Sequence, residues 1–281
     1  GEDNNKLDIK YVNVEMINEY DYANYPFIKV SSTGIQTISI RETIMEQEEP
    51  TSEFIFLKNT GSATINMDIR TSTVIGSIIN TGDGEINISM KNGKSFWTRI
   101  GNSKITNLEN TSGTNYLVFS AKGNNIDKLT ITDKLTVTSG QLFVSLEDLD
   151  YNVVSGDRKQ VIDIDSAKVS GIVRPGNMEL GAYQYNLTQE SDGYYVTNTG
   201  QHNASAKTVE NTPAILNSVV SAGLNSLNRR LGDIRRTPQD KLNGVWTRVY
   251  GRNDRFNKER ETKTEMTGAE GGYDRQILTD L

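Results

Sequence analysis

Asn59-Thr60-Gly61 recurs as Asn80-Thr81-Gly82, and Ile65-Asn66-Met67-Asp68-Ile69 recurs as Ile86-Asn87-Ile88-Ser89-Met90. Both pairs are 21 residues apart, and the apolar positions of the two copies match. A period of about 20 to 50 residues is typical of solenoids, in which each turn of chain packs only on its neighbours. The repeat therefore predicts turns of a parallel β-helix, with two Asn-Gly turns of a β-sandwich as the alternative. A third copy, Asn110-Thr111-Ser112-Gly113, follows after a longer interval and makes the predicted repeat irregular.

The residues around this repeat, from 1 to about 210, have the composition of a chain of short strands. Apolar and polar residues alternate in several segments, and Asn, Gly, Ser or Asp stands between them. We therefore predict an all-β region. The clearest candidate strands are Phe54–Leu57, Thr64–Ile69, Glu85–Met90, Tyr116–Phe119 and Leu129–Thr132.

The chain has few residues that could carry ordinary enzyme chemistry. It contains no cysteine, which excludes disulfides, Cys-ligated zinc and thiol catalysis. Its single histidine, His202, excludes most catalytic triads and His-ligated metal sites, and we expect it to be exposed in a polar linker. The sequence therefore predicts a protein that is not an enzyme and has no cofactor and no metal.

Charge divides the chain into two regions. Residues 211–281 carry 12 Lys and Arg against 9 Asp and Glu, whereas residues 1–210 carry 18 against 27. The acidic region argues against a nucleic-acid partner, because phosphate contact needs a basic surface. The polar residues 1–10 do not resemble a signal peptide, so an exported form would need a signal upstream or one already removed.

The sequence changes character near residue 203, where a helix is predicted. Thr212-Pro213 offers an N-cap side chain followed by proline at the first helical position, so the helix is expected over about 213–236. Gly223 and Gly232 would weaken it, which indicates close packing at those positions. The helix could pack on the β domain, form a short coiled coil, or line a pore. Its apolar stripe consists of Leu216, Val220, Leu224, Leu227, Leu231 and Ile234.

Two alternating segments follow the predicted helix, Gly244–Gly251 and Thr262–Arg275. On the first, Val245, Thr247 and Val249 share one face, and Trp246, Arg248 and Tyr250 share the other. In a membrane barrel the Val/Thr/Val face would meet lipid, because a lipid-facing arginine near the midplane costs about 2 to 4 kcal/mol. The arginines of this region would then meet carboxylates such as Asp233 and Asp254 in the lumen. A soluble hairpin would show the same alternation.

The helix and strand segments together resemble a known family. Leu227–Arg235, followed after a short loop by Gly244–Gly251, resembles the linker-to-first-strand junction of the autotransporter (type Va secretion) family. Upstream, Leu180–Leu187 and Gly193–Val196 resemble the end of a pertactin-like passenger, the part thought to nucleate passenger folding. The resemblance covers about residues 90–275.

The resemblance implies an all-β fold, namely the end of a right-handed parallel β-helix with a C-terminal cap. An amphipathic linker helix and the first strands of an incomplete outer-membrane β-barrel would follow. The barrel would be truncated, since a closed one needs at least eight strands. The expected domains are passenger coils 1–128, cap and folding nucleus 129–200, linker 201–243 and barrel strands 244–281.

The resemblance also assigns candidate site residues. In one branch of the family the linker cleaves itself between two asparagines, positions that match Asn225-Ser226 here. Only the first residue matches, and the alternative to self-cleavage is that Asn225 is an ordinary polar residue on the helix surface. The pore helix would present Leu227, Asn228, Arg229, Arg230, Leu231, Gly232, Asp233 and Arg235, and the first barrel strand would carry Gly244, Trp246, Arg248 and Tyr250.

By resemblance, the function would be self-secretion and surface display of an adhesin-type passenger. The expected location is the bacterial outer membrane for the barrel and the cell surface for the passenger. The expected partners are outer-membrane lipid, the barrel-assembly machinery and a host-cell surface ligand. The alternatives are a β-helical carbohydrate-active enzyme, which needs clustered carboxylates on successive turns, and a soluble oligomeric β-solenoid stalk.

Overall fold

The computed structural model describes residues 5–10, 13–16, 26–47, 54–154, 156–236, 244–257 and 261–275. The chain divides into two compact units, unit 1 (Gly1–Gln201) and unit 2 (His202–Leu281).

The described residues form β-strands, one long α-helix, α1 (Ala204–Arg236), and one 3₁₀ turn, Ser166–Lys168. The strands are β1 Asn5–Lys10, β2 Asn13–Met16, β3 Ile28–Val30, β4 Ile35–Arg41, β5 Ile44–Gln47, β6 Ile55–Asn59, β7 Thr64–Arg70, β8 Thr73–Ile75, β9 Ser77–Asn80, β10 Ile86–Met90, β11 Lys94–Thr98, β12 Asn102–Asn110, β13 Thr114–Gly123, β14 Asn125–Ile126, β15 Lys128–Val137, β16 Gln141–Tyr151, β17 Arg158–Asp163, β18 Val169–Ser170, β19 Val173–Pro175, β20 Glu179–Leu180, β21 Tyr183–Glu190, β22 Gly193–His202, β23 Gly244–Asn257 and β24 Glu261–Asp274.

Unit 1 is built from three sheets whose strands are mostly parallel. Sheet A has the order β1-β4-β7-β10-β12-β15-β17-β22-β21-β20, with β18 beside β15. Sheet B has the order β19-β16-β13-β11-β8-β5-β2, with β14 beside β13, and sheet C has the order β3-β6-β9. The chain thus returns to the same sheet turn after turn, an arrangement compatible with a β-solenoid. The all-β part of the fold prediction is confirmed.

The 21-residue period of the sequence equals the spacing between residues that pair on neighbouring parallel strands. Ile65 pairs with Ile86, and Asn66 with Asn87, between β7 and β10. Asn59 pairs with Asn80 between β6 and β9, and its side-chain amide donates to the Asn80 oxygen at 3.2 Å. The predicted alignment of the two copies is therefore confirmed.

The predicted third copy of the Asn-Thr motif is wrong. Asn110 ends β12 in sheet A, where its register partner is Met90, whereas Asn59 and Asn80 end strands of sheet C. Its motif resembles theirs because each lies at a strand end where the chain turns, and sequence alone does not tell which sheet that strand joins.

The core of unit 1 consists of the inward side chains of stacked turns. Met67, Ile88 and Leu108 are register neighbours along sheet A, and all three are buried. On sheet B, Trp97 is fully buried between Val74 and Leu117 in register, and its indole N–H donates to the Gly76 carbonyl at 2.9 Å. Each turn therefore covers the apolar row of the turn before it.

The strand direction of sheet A changes near its end. β15 and β17 are parallel, but β17 pairs with β22 in the antiparallel sense, and β20 pairs with β21 likewise. Tyr185 and Tyr194 are buried in this region. Antiparallel pairing lets short connections complete the sheet without another long turn.

Candidate functional site

The helix α1 begins earlier than the sequence predicted. Its first residue is Ala204, not Pro213, because the Asn203 side chain caps the helix by accepting from the Ala206 N–H at 2.9 Å. Pro213 therefore lies inside the helix. The expected start at Thr212-Pro213 is wrong because Asn203 supplies an N-cap one residue before Ala204.

The apolar stripe of α1 is not its buried face. Leu216, Val220 and Leu224 are 60%, 59% and 56% exposed, whereas Ser218 is only 5% exposed. The side chains of Leu227, Leu231 and Ile234 lie outside the described residues. Within the described structure, the helix thus buries the polar side chains of Asn211 and Ser218 and presents Leu216, Val220 and Leu224 outward.

The expectation of close packing at the helix glycines is wrong at Gly223. A Cβ added there would meet no atom within 4 Å. The glycine therefore lowers helix propensity without allowing a close contact in the described structure. Gly232 lies outside the residues whose surroundings are described.

The hairpin β23–β24 has two different faces. The odd-numbered face is open: Val245 is 79%, Val249 83% and Tyr273 65% exposed. Trp246, Arg248 and Tyr250 lie together on the other, half-buried face, as the alternation predicted. On the open face the pairs from Val245↔Tyr273 to Gly251↔Thr267 are uncharged, and charged side chains begin at Asn253↔Glu265.

Large aromatic rings cover glycines across the half-buried face of the hairpin. Trp246 is opposite Gly272, and Tyr250 is opposite Gly268. A Cβ at Gly272 would approach the Trp246 ring to 2.8 Å, and one at Gly268 would overlap the Tyr250 ring. Glycine at these positions lets each ring lie flat on the opposite strand, which fixes the strand register.

One polar cluster joins the helix to the hairpin within unit 2. We call Ser218, Arg252 and Asp254 the Ser218 cluster. The Ser218 hydroxyl donates to the Asp254 carboxylate, and the Arg252 Nε lies 2.8 Å from Asp254 Oδ2. An Arg252 Nη1 also donates to the Ser218 carbonyl at 3.4 Å. The cluster therefore holds the middle of α1 against the polar face of β23.

The sequence predicted part of this cluster. Arg252 pairs with Asp254, one of the two carboxylates named as partners of these arginines, while a position of the pair in a barrel lumen stays a prediction. Ser218 was missed, because a serine flanked by Asn217 and Val219 has no periodic signal of its own.

The predicted linker residues are helical, and those whose side chains are described are exposed. Asn225, Asn228 and Arg229 face outward, and none of them belongs to the Ser218 cluster. For the other predicted linker positions the backbone is helical, but the side chains lie outside the described residues: Ser226, Leu227, Arg230, Leu231, Gly232, Asp233 and Arg235. Gly244 is the first residue of β23 and is exposed.

The described residues hold neither a candidate metal site nor a candidate membrane-spanning helix. No group of three or more His, Cys, Asp or Glu side chains could hold a metal ion. Among the same residues, no helix combines the length and the apolar character needed to cross a membrane. His202, expected to be exposed, is half-buried at the end of β22.

Comparison with known proteins gives no family assignment. No protein-family model matches this chain, and no curated protein matches it either.

Proposed function

We propose that this chain belongs to a self-secreting surface protein of the autotransporter type. In this proposal, unit 1 is the end of a right-handed parallel β-helical passenger with a C-terminal cap. The helix α1 is the linker that threads a pore, and β23–β24 are the first strands of the barrel that forms the pore in the outer membrane. The protein then displays its passenger at the bacterial surface and has no active site.

The two-faced hairpin is the observation that carries the proposal. Its open face is uncharged over the pairs Val245↔Tyr273 to Gly251↔Thr267, and charged residues follow beyond them. Its other face carries Arg252 and Asp254, which hold the helix. A barrel strand has this division, with an apolar outer band meeting lipid and a polar lumen. In a soluble hairpin, Val245 and Val249 would be about 80% exposed to water without a stabilising apolar contact.

The stacked turns of unit 1 are also consistent with secretion through a pore. Each turn needs only its neighbour to bury its apolar row, so folding can proceed one turn at a time as chain emerges. The region where sheet A changes to antiparallel pairing, β17 to β22, lies next to the linker in sequence. In the proposal this region folds first and provides the surface on which earlier turns pack.

The test is expression from the complete coding region in a Gram-negative bacterium. Intact cells would be treated with protease and probed with an antibody to residues 1–200. We expect a protease-sensitive passenger on the surface and a heat-modifiable species in the outer-membrane fraction. Recovery of soluble periplasmic protein would contradict the proposal and favour the oligomeric stalk.

A matched pair of substitutions tests the role of the hairpin face. Val249→Arg places a charge in the uncharged band, where it would cost about 2 to 4 kcal/mol facing lipid. Asn253→Arg places the same charge on the same face at its polar end. We expect the first variant to reduce the amount of protein in the outer membrane and the second to leave it unchanged. Equal amounts of both variants would contradict a lipid-facing role.

A further inference from the structure

A continuous row of outward side chains crosses sheet B of unit 1. Neighbouring strands from β5 to β19 each contribute one residue, and these residues are in register. From β5 to β16 the residues on either side of the row are buried, so the row itself faces outward. We call it the aromatic row, and it consists of Ile44, Thr73, Phe96, Tyr116, Phe143 and Arg174.

The middle of the aromatic row is a stack of three rings. The ring centroids of Phe96 and Tyr116 are 4.7 Å apart, and those of Tyr116 and Phe143 are 5.1 Å apart. The planes of neighbouring rings differ by 15° and 17°, so the rings cover one another's faces and their edges form the surface. Rings held in this way lose little further rotamer freedom when a partner packs on them.

The two ends of the aromatic row carry opposite charges. At the β5 end, Ile44 is 48% exposed, and Glu46 is exposed on the same face of the strand. At the β19 end, Arg174 is exposed. Among the described residues, neither Glu46 nor Arg174 takes part in an ion pair. The face therefore has an acidic end, an apolar middle and a basic end.

The shape of the row is complementary to itself when two copies meet face to face with the strand order of sheet B reversed. A two-fold axis that runs along the strands between β11 and β13 places β8 of one protomer opposite β16 of its partner. Phe143 of one protomer then faces the small Thr73 of the other, and Phe96 faces Tyr116. Large side chains thereby meet small ones on either side of the central rings.

The charges select this arrangement over the parallel one. The same axis places β5 of one protomer opposite β19 of its partner, so Arg174 lies near Ile44 and Glu46 of the other copy. If the strand orders ran parallel, Arg174 would face Arg174 and Glu46 would face Glu46. Like charges in direct opposition are unfavourable, whereas the reversed order pairs each arginine with a glutamate.

The size of the face limits the strength of such a contact. At about 4.8 Å for each step between neighbouring strands, the row is about 24 Å long, and three outward positions along a strand span about 20 Å. The face therefore offers roughly 500 Å² per copy, less than the typical value of about 800 Å². We expect a weak, reversible dimer with a dissociation constant on the order of 10 to 100 μM.

We propose that unit 1 forms an antiparallel dimer with a second copy of this chain through the aromatic row of sheet B. The stacked rings form the centre of the interface, and a pair between Glu46 and Arg174 closes each end. This self-association goes beyond the proposed secretion function and does not rest on it, because all of its residues belong to unit 1.

The test is sedimentation equilibrium of the 281-residue chain over a range of concentrations. Arg174→Glu and Glu46→Arg are each expected to raise the dissociation constant at least about tenfold, because the two-fold axis makes every contact twice. The double variant exchanges the charges and restores both pairs, so its dissociation constant should return to within about threefold of the wild-type value.

A matched pair of substitutions tests the apolar part of the face. Ile44→Ser is expected to weaken the dimer about tenfold, because an isoleucine buried in the interface is lost. Ile35→Ser removes an isoleucine of similar exposure, 45%, from β4 in sheet A and should leave the dimer unchanged. Circular dichroism of each variant checks that unit 1 has kept its fold.

Three results would overturn the proposal. They are a wild-type chain that stays monomeric at about 500 μM, equal dimerisation of Ile44→Ser and Ile35→Ser, and a double charge variant that dimerises no better than the single ones. Because sedimentation uses purified protein, its result is separate from the surface-exposure test of the secretion proposal.

Discussion

Gly82 lies where the backbone of one turn contacts the backbone of the next. A Cβ at this position would overlap the Gly61 carbonyl oxygen, although the φ angle of Gly82 is not in the left-handed region. Glycine is therefore required at this position because a side chain would have no room between the two turns. The 21-residue repeat of Asn-Thr-Gly reflects this stacking, since Gly61 and Gly82 occupy the same place in successive turns.

Gly82→Ala is expected to destabilise unit 1 by about 1 to 3 kcal/mol or more, because overlap with a backbone atom forces the two turns apart. Urea unfolding followed by circular dichroism measures the change. Asp83→Ala is the matched control, since Asp83 is exposed in the same turn and its loss should change stability by no more than about 0.5 kcal/mol. Equal stability of the two variants would show that the turns can separate without cost.

Asp127 makes the stability of unit 1 depend on pH. Burial raises the pKa of Asp127 from 3.8 to about 6, against the lowering effect of hydrogen bonds from the Ser120 and Gly101 backbone. The folded state therefore holds this proton more tightly than the unfolded state does. The resulting stabilisation is fully present below about pH 3.8 and is lost as pH rises through about 6.

Comparison of wild type with Asp127→Asn isolates this effect, because the variant cannot ionise there. The free energy of unfolding of the wild type minus that of Asp127→Asn should be larger at pH 4 than at pH 7. The change in this difference should be at most about 3 kcal/mol. Urea unfolding at a series of pH values measures it. An advantage that stays constant or grows with pH would contradict the raised pKa.

At the scale of elements, α1 and β23 are joined by a polar contact. The Ser218 hydroxyl donates to Asp254, which also pairs with Arg252. The more hydrophobic side of the helix, with Leu216 and Val220, remains exposed. This is the opposite of an ordinary surface helix, whose apolar stripe faces the core. In the proposed function, this is the contact expected between a linker helix and the lumen face of a barrel strand.

Ser218→Ala is expected to lower the protection of backbone amides between residues 211 and 222 several-fold in hydrogen exchange, because the helix loses its hydrogen bond to Asp254. Asp254→Asn should act in the same direction, since it weakens both the serine contact and the arginine pair. Ser221→Ala, which removes only a 3.5 Å contact to Asn217, is the control. Unchanged protection in Ser218→Ala would show that other contacts position the helix.

At the scale of the whole molecule, the two units carry one tryptophan each. Trp97 is fully buried in unit 1, and Trp246 is half-buried on the hairpin of unit 2. The hairpin forms a two-stranded sheet of its own. Because the described part of the chain adds no other strand to this sheet, we expect the two units to unfold in separate transitions.

The Trp246→Phe variant leaves Trp97 as the only tryptophan, whose emission is excited selectively on the long-wavelength side of the tyrosine band. Its emission should be blue-shifted and resistant to acrylamide, because the indole is buried and hydrogen-bonded to Gly76. Its urea transition should lie at a different concentration from the loss of helical circular dichroism, which reports α1. Coincidence of the two transitions would indicate one cooperative unit.

Local sequence pattern predicted the register between turns of unit 1 correctly but placed the start of α1 too late. The register of Ile65 with Ile86 could be predicted because stacked turns repeat the same inward and outward positions. The start of α1 could not, because Thr212-Pro213 is the stronger local signal and the cap at Asn203 is followed by polar residues without apolar periodicity.

Side-chain alternation within short stretches of chain was enough to predict the clearest strands, the 21-residue register and the two faces of the hairpin. Which face of α1 is held and which sheet Asn110 joins could be read only from the folded chain. Each of these depends on residues far apart in sequence, such as Ser218 and Asp254. Local periodicity carries no information about such contacts.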